Sequence, residues 1–147
     1  MLFAADFIGT SGETRVTEFS LPGQGATAEV VAYGAYDDGR LSRIAAINYA
    51  DATSLSFDLG ADSGVTQVEL RRLINYSPQS DLNFNQHYGD PQDKYQCTIT
   101  WGELTWNSTT NGLGVKASDD TISMKVENGI VEMDLEQNTA FMAFLTY

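Results

Sequence analysis

The hydrophobic pattern changes period once along the chain. Over the first nine residues Leu2, Phe3, Ala5, Phe7 and Ile8 are apolar, and Gly9, followed by Thr10-Ser11-Gly12, ends the run. This spacing predicts a short helix over residues 1–10. Two turns of helix are not stable alone in water, so the segment reads as the tail of a longer element whose N-terminal side is missing. Beyond Gly12 the period becomes two and stays there. Thr14–Ser20 alternates and closes on Leu21-Pro22-Gly23. Thr27–Tyr36, rich in Val and Tyr, is joined to Leu41–Tyr49 through Asp37-Asp38-Gly39-Arg40. An Asp-Gly pair between two strand-like runs is a strong hairpin signal, because both central residues of the favoured turn need positive φ. Leu55, Phe57 and Leu59 mark another strand. Val65–Ile74 follows, with Val68, Leu70 and Leu73 assigned to one face.

Strands resume at Gln96–Trp101, turn through Gly102-Glu103 into Leu104–Asn107, and pass a turn-rich stretch, Thr109–Asp120. Thr121–Val126, a second hairpin at Asn128-Gly129, Ile130–Leu135 and Ala140–Leu145 complete the series. Phe141, Ala143 and Leu145 share a face. Between these groups, Asn75–Tyr95 is a polar loop of about twenty residues, long for a compact domain. Many short strands separated by turn signals predict an all-β fold: an antiparallel β-sandwich of about eight to ten strands over residues 11–147. A closed barrel is the lesser alternative. One apolar face is expected to bury Tyr33, Tyr36, Ile44, Ile47, Trp101, Phe141 and Leu145.

Composition narrows the classes. The 147 residues are 42% hydrophobic and 19% charged, with a net charge of −12. That composition suits a single globular domain and excludes disordered, collagenous and coiled-coil chains. The negative charge disfavours nucleic acid and anionic membrane as partners. No apolar run approaches the ~20 residues of a membrane helix. The first residues lack the basic start and length of a signal peptide.

The inventory for chemistry is thin. Cys97 is the single cysteine, so no disulfide framework or cysteine zinc site is available, and a buried inert thiol is the ordinary reading. His87 is the single histidine, in the polar loop, and no G-x-S-x-G elbow accompanies it. Glu103, between two tryptophans, is the least dull carboxylate, yet Gly-Glu is also a plain hairpin. Asp37-Asp38 and Asp119-Asp120 adjoin turns, where Asp bonds its own backbone, and neither has EF-hand spacing. No catalytic residue, metal ligand or cofactor is assigned. Trp101, Trp106 and Tyr88 are the candidate carbohydrate-binding residues, by stacking on sugar rings. Tryptophan on a strand also packs sandwich cores, and both readings stay open. Asn75-Tyr76-Ser77 and Asn107-Ser108-Thr109 are N-x-S/T sequons, so Asn75 and Asn107 are candidate glycosylation sites, Pro78 weakening the first. With the acidity they suggest a secreted, extracellular protein.

The run Ala32-Tyr33-Gly34-Ala35-Tyr36-Asp37-Asp38-Gly39-Arg40-Leu41-Ser42-Arg43 through Asn48-Tyr49 resembles a hairpin in the C-terminal β-domain of fungal glycoside hydrolase family 79, the β-glucuronidase-like enzymes. Ile99-Thr100-Trp101-Gly102-Glu103 with Thr110-Asn111-Gly112, and the closing Ala140–Tyr147, are similar to later segments of that domain. Leu2–Gly9 looks like the end of the last helix of a preceding barrel. The resemblance implies a non-catalytic domain that packs on and stabilises a (β/α)₈ barrel holding the catalytic glutamates, and no residue here matches those glutamates. The partner so implied is that barrel, or a second copy of the chain meeting Leu2, Phe3, Phe7 and Ile8. The alternatives are an autonomous carbohydrate-binding module or lectin, and a small independent enzyme.

Overall fold

The computed structural model describes residues 2–21, 29–76, 98–102, 104–106, 115–116 and 121–147. The chain opens with helix α1, Leu2–Ile8. Gly9 ends it with φ +71° and an N–H that donates to Ala5 O at 2.8 Å, the left-handed stop expected of glycine there. Eleven strands follow among the described residues: β1 Arg15–Glu18, β2 Val30–Asp37, β3 Arg40–Asn48, β4 Thr53–Asp58, β5 Gln67–Tyr76, β6 Thr98–Trp101, β7 Leu104–Trp106, β8 Val115–Lys116, β9 Thr121–Lys125, β10 Ile130–Leu135 and β11 Thr139–Thr146. The short β8 lies in a stretch that the sequence marked only as turn-rich.

All pairing among the described strands is antiparallel. Nine strands form the main sheet in the order β1-β2-β3-β11-β5-β6-β7-β8, and β9 joins the same edge of β5 that β6 uses further along. Among the described residues a second sheet is formed by β4 and β10. Two residues with positive φ, Asp38 at 51° and Gly39 at 79°, make the β2–β3 turn, and Asn128 and Gly129 do the same before β10. These are the turns the Asp-Gly and Asn-Gly pairs predict.

The sandwich core lies between the sheets. From the main sheet it takes cross-strand rows such as Ala32–Ala46–Phe141 and Gly34–Ile44–Ala143–Leu70. The second sheet contributes Phe57, Val131, Met133 and Leu135, alternating with exposed Ser56, Glu132 and Asp134. Asn48 is the one buried polar side chain recorded in this core region. Its amide donates to Asp51 O at 2.9 Å and Glu136 O at 3.0 Å, and its Oδ1 accepts from Ala50 N at 2.9 Å. These bonds tie the end of β3 to the entry of β11.

The main sheet has a second covered face, which corrects the expectation of one apolar face. Its rows are Val31–Ile47–Ala140–Leu73–Trp101, Tyr33–Ala45–Met142–Arg71 and Ala35–Arg43–Phe144–Glu69. Leu73 therefore lies opposite Val68 and Leu70, not beside them, since an odd separation on a strand reverses the side chain. Of the seven expected core residues, Ile44, Trp101 and Phe141 are buried, while Tyr33, Tyr36, Ile47 and Leu145 are half-buried. The seven divide between the two faces.

Candidate functional site

The second face is where α1 docks. Phe3 and Phe7 point into a cluster of Ala35, Ala45, Trp101 and Met142, flanked by Tyr33, Leu73 and Phe144. The Phe3 ring meets Trp101 edge-on, with centroids 5.0 Å apart and planes at 66°. Trp101 is 4% exposed. Its indole Nε1–H donates to Asp6 Oδ2 at 2.8 Å, which satisfies a donor that burial would otherwise strand. Arg71 reaches the same oxygen at 3.5 Å, pairs with Glu69 at 2.8 Å and lies 4.5 Å above the Phe144 ring.

The C-terminal end of α1 is held by a second polar group. Arg43 Nε–H donates to Phe7 O at 2.9 Å, and Arg43 Nη2 pairs with Asp37 Oδ2 at 2.7 Å. The Thr14 hydroxyl lies 2.6 Å from both Ile8 O and Asp37 Oδ1, with one proton to donate between them. Ser42 bulges out of the β2–β3 ladder, and its hydroxyl sits 2.8 Å from Asp37 Oδ2 and 3.0 Å from Ala35 O. The Thr14 hydrogen bond, with those of Ser42 and Arg43 and the Arg43 charge, holds the Asp37 carboxyl below its usual range, while burial pushes the other way.

Beyond the helix the face is incompletely covered. Val31 and Ile47 are half-buried next to the cluster. Ile8 is 51% exposed on the outer side of α1, with Ala4 and Ala5 exposed beside it, and Val16 on β1 is also exposed. The arrangement presents an apolar surface with a fixed charged frame.

Trp101 has its ring covered by Phe3, so it offers no open stacking face to a sugar in this structure; the core alternative describes it. Trp106 ends β7, opposite Ile99, and Asn75 lies in β5, also opposite Ile99. Tyr88, Asn107, His87, Cys97, Glu103 and the Asp119-Asp120 pair lie outside the described residues, as does the loop after Tyr76. Tyr49 is 63% exposed at the end of β3. Phe3 and Phe7 turn inward onto the protein's own sheet, while Ile8 of the same apolar cluster stays exposed. No group of three or more His, Cys, Asp or Glu side chains among the described residues is placed to hold a metal. Among them no helix is long and apolar enough to cross a membrane.

Asp6 on α1 and the side chains Arg43 and Arg71 that tie the helix to the sheet have no signal of their own in the sequence. The available signal was parity: Arg43 and Arg71 occupy strand positions in step with Ala45, Met142 and Leu73, where a solvated charge does not belong.

Comparison with known proteins completes the picture. The family model described as the glycosyl hydrolase family 79 C-terminal beta domain matches residues 32–142. Among solved structures, a 4-O-α-L-rhamnosyl-β-D-glucuronidase from Fusarium oxysporum 12S, determined as its Rha-GlcA complex, is similar in fold. The TM-score is 0.57 at 16% identity, over 88% of this chain and 26% of that one. The chain thus spans about a quarter of the length of that enzyme. A search of curated proteins finds no match.

Proposed function

Because the chain belongs to the glycosyl hydrolase family 79 C-terminal beta domain family, we propose that it is a non-catalytic β-sandwich that packs on and stabilises a (β/α)₈ glycoside hydrolase barrel lying outside this chain. The family match carries the reading. The sheet's second face supports it: an apolar surface, half-covered by a seven-residue helix, is suited to burial against a larger neighbour. The matched quarter of the Fusarium enzyme supports placing the chemistry in the remaining length of such a protein. The parent activity is hydrolysis of a β-glucuronide-type glycoside, and the protein is secreted and glycosylated at Asn75 or Asn107.

The test compares this chain alone with the longer polypeptide that carries it. The chain alone should give no turnover of nitrophenyl glucuronide, and the longer protein should hydrolyse it and melt in one cooperative transition. Turnover by the chain alone, abolished by Glu103→Gln, would make it an enzyme and overturn the proposal. Removal of N-glycans by endoglycosidase should lower the mass of the secreted material, and Asn75→Gln with Asn107→Gln should abolish that change.

A further inference from the structure

On the side of the main sheet away from α1, a cleft of about 420 Å³ lies between the two sheets, at the end where β2 turns into β3. Pockets of roughly 300–1,000 Å³ are the size that takes small molecules. The main sheet lines it with Tyr36, Leu41, Ile44 and Leu145, and the second sheet with Phe57 and the following Leu59. Phe19 stands between them, its ring 5.9 Å from that of Phe57 with the planes at 58°. Phe19, Leu41, Leu59 and Leu145 belong to the inter-sheet core yet are only half-buried here. Two of these walls are seated by a glycine. A Cβ at Gly34 would lie 2.7 Å from Phe19 Cζ and 2.9 Å from Leu41 Cδ1, so both side chains sit back on the strand because Gly34 has none. A third wall is fixed at the mouth: the Tyr147 hydroxyl donates to Leu41 O, and Arg40 lies 4.3 Å above the Tyr147 ring. The polar lining residues Ser20, Ser56 and Asp58 are exposed at that mouth. Asp58 is the one acidic or basic side chain in the lining, and its Oδ1 accepts from Gly60 N at 2.9 Å.

We propose that this cleft is a binding site for an uncharged aromatic alcohol, a molecule with a flat apolar body and one hydroxyl. Four aromatic rings, Phe19, Tyr36, Phe57 and Tyr147, with the leucines between them, suit a flat apolar body. The hydroxyl stays at the mouth, where the serines and the Asp58 carboxylate accept its hydrogen bond. An anion of the same shape is disfavoured, because its charge would face Asp58 in a chain of net charge −12. A sugar fits worse still, since its hydroxyls would be buried on leucine without partners. The site stands apart from the reading of the chain as an accessory domain.

The test is an NMR titration of the isotope-labelled chain at pH 7 with β-naphthol, and with β-naphthoate as the charged control. Saturable shifts are expected at the amides of Leu41, Phe57 and Tyr147, with β-naphthoate weaker by at least about tenfold. Gly34 lies in a strand outside the left-handed region, so Gly34→Ala should fold while pushing Phe19 and Leu41 into the cleft, and should weaken β-naphthol several-fold. Asp58→Asn keeps an oxygen for Gly60 N and should narrow the gap between alcohol and anion. No saturable shift, or shifts gathered away from the cleft, would overturn the site. β-Naphthoate binding as tightly as β-naphthol, or a gap unchanged in Asp58→Asn, would overturn the assignment of an uncharged alcohol. Undiminished binding by a folded Gly34→Ala would overturn the cleft as the place; if that variant does not fold, the mapped shifts and Asp58→Asn decide.

Discussion

Phe141→Ala measures how rigid the sandwich core is. Phe141 is 1% exposed and stands in the middle of the inter-sheet core. Its cross-strand neighbours are Ala46, followed by Ala32, on one side and Arg72 on the other, and Ala143 is the next residue on its own face; the alanines leave short methyl groups on the β3 side. These methyl groups are short and anchored to paired strands, so they cannot swing into the space a lost ring leaves. Truncation of a buried Phe costs about 3–5 kcal/mol, and a site framed this way should lose about 4 kcal/mol. For a chain of this length each kcal/mol lowers Tm by roughly 2–4 °C, giving a drop of about 8–16 °C. With an m-value of ~2 kcal/mol/M the urea midpoint falls by about 2 M. The control is Phe144→Ala, on the opposite face and half-buried, which should cost less than half as much. A Phe141→Ala loss below ~1 kcal/mol at unchanged m would refute the rigid alanine frame, because it would require the core to refill itself.

Two glycine turns separate conformational strain from collision. Gly39→Ala meets no heavy atom within 4 Å and should cost about 1–2 kcal/mol from positive φ alone, whereas Gly129→Ala places its Cβ 2.2 Å from Gly60 O and should cost at least about 3 kcal/mol in a urea melt. Asn48→Ala breaks three hydrogen bonds at a fully buried site and should cost about 3 kcal/mol, with faster amide exchange at Ala50 as the local sign. Because the folded pKa of Asp37 is depressed, its stabilisation is present above the unfolded pKa and is lost as pH falls through the folded one. Asp37→Asn should therefore be less stable than the parent at pH 7, and the gap should narrow in acid; a constant gap down to about pH 2 would count against the charge interaction.

The strands were legible because alternation is a local property. Residues on the second sheet alternate without exception from Ile130 to Leu135, and the hairpin turns at Asp38-Gly39 and Asn128-Gly129 follow from single dipeptides. What could not be read was the number of covered faces. On β2 and β3 alanines and a glycine stand on both parities, so alternation in size vanishes where both sides are buried. The half-buried Tyr33 and Ile47 therefore looked like partners of Ile44 and Phe141, although the register puts them on the other side of the sheet. The short β8, two residues long, carries too little pattern to stand out from its turn-rich surroundings.

Trp101 shows how one residue can mislead a site search and still be informative. An aromatic on a short strand next to Gly102 satisfies the sequence criteria for a sugar platform and for a core anchor equally. What separates them is Asp6, 95 residues earlier in the chain, whose carboxylate accepts the indole N–H. A buried tryptophan needs a partner for that donor, and here the partner arrives on a separate element, so the docked α1 both covers Trp101 and satisfies its N–H. The apolar helix at the start of the chain and the aromatic strand in its second half are therefore two halves of one contact. That contact organises the face proposed to meet a barrel. Its polar ends, Asp6 with Trp101 and Asp37 with Arg43, fix the direction in which the helix crosses the sheet, and through it the side from which a preceding domain would approach.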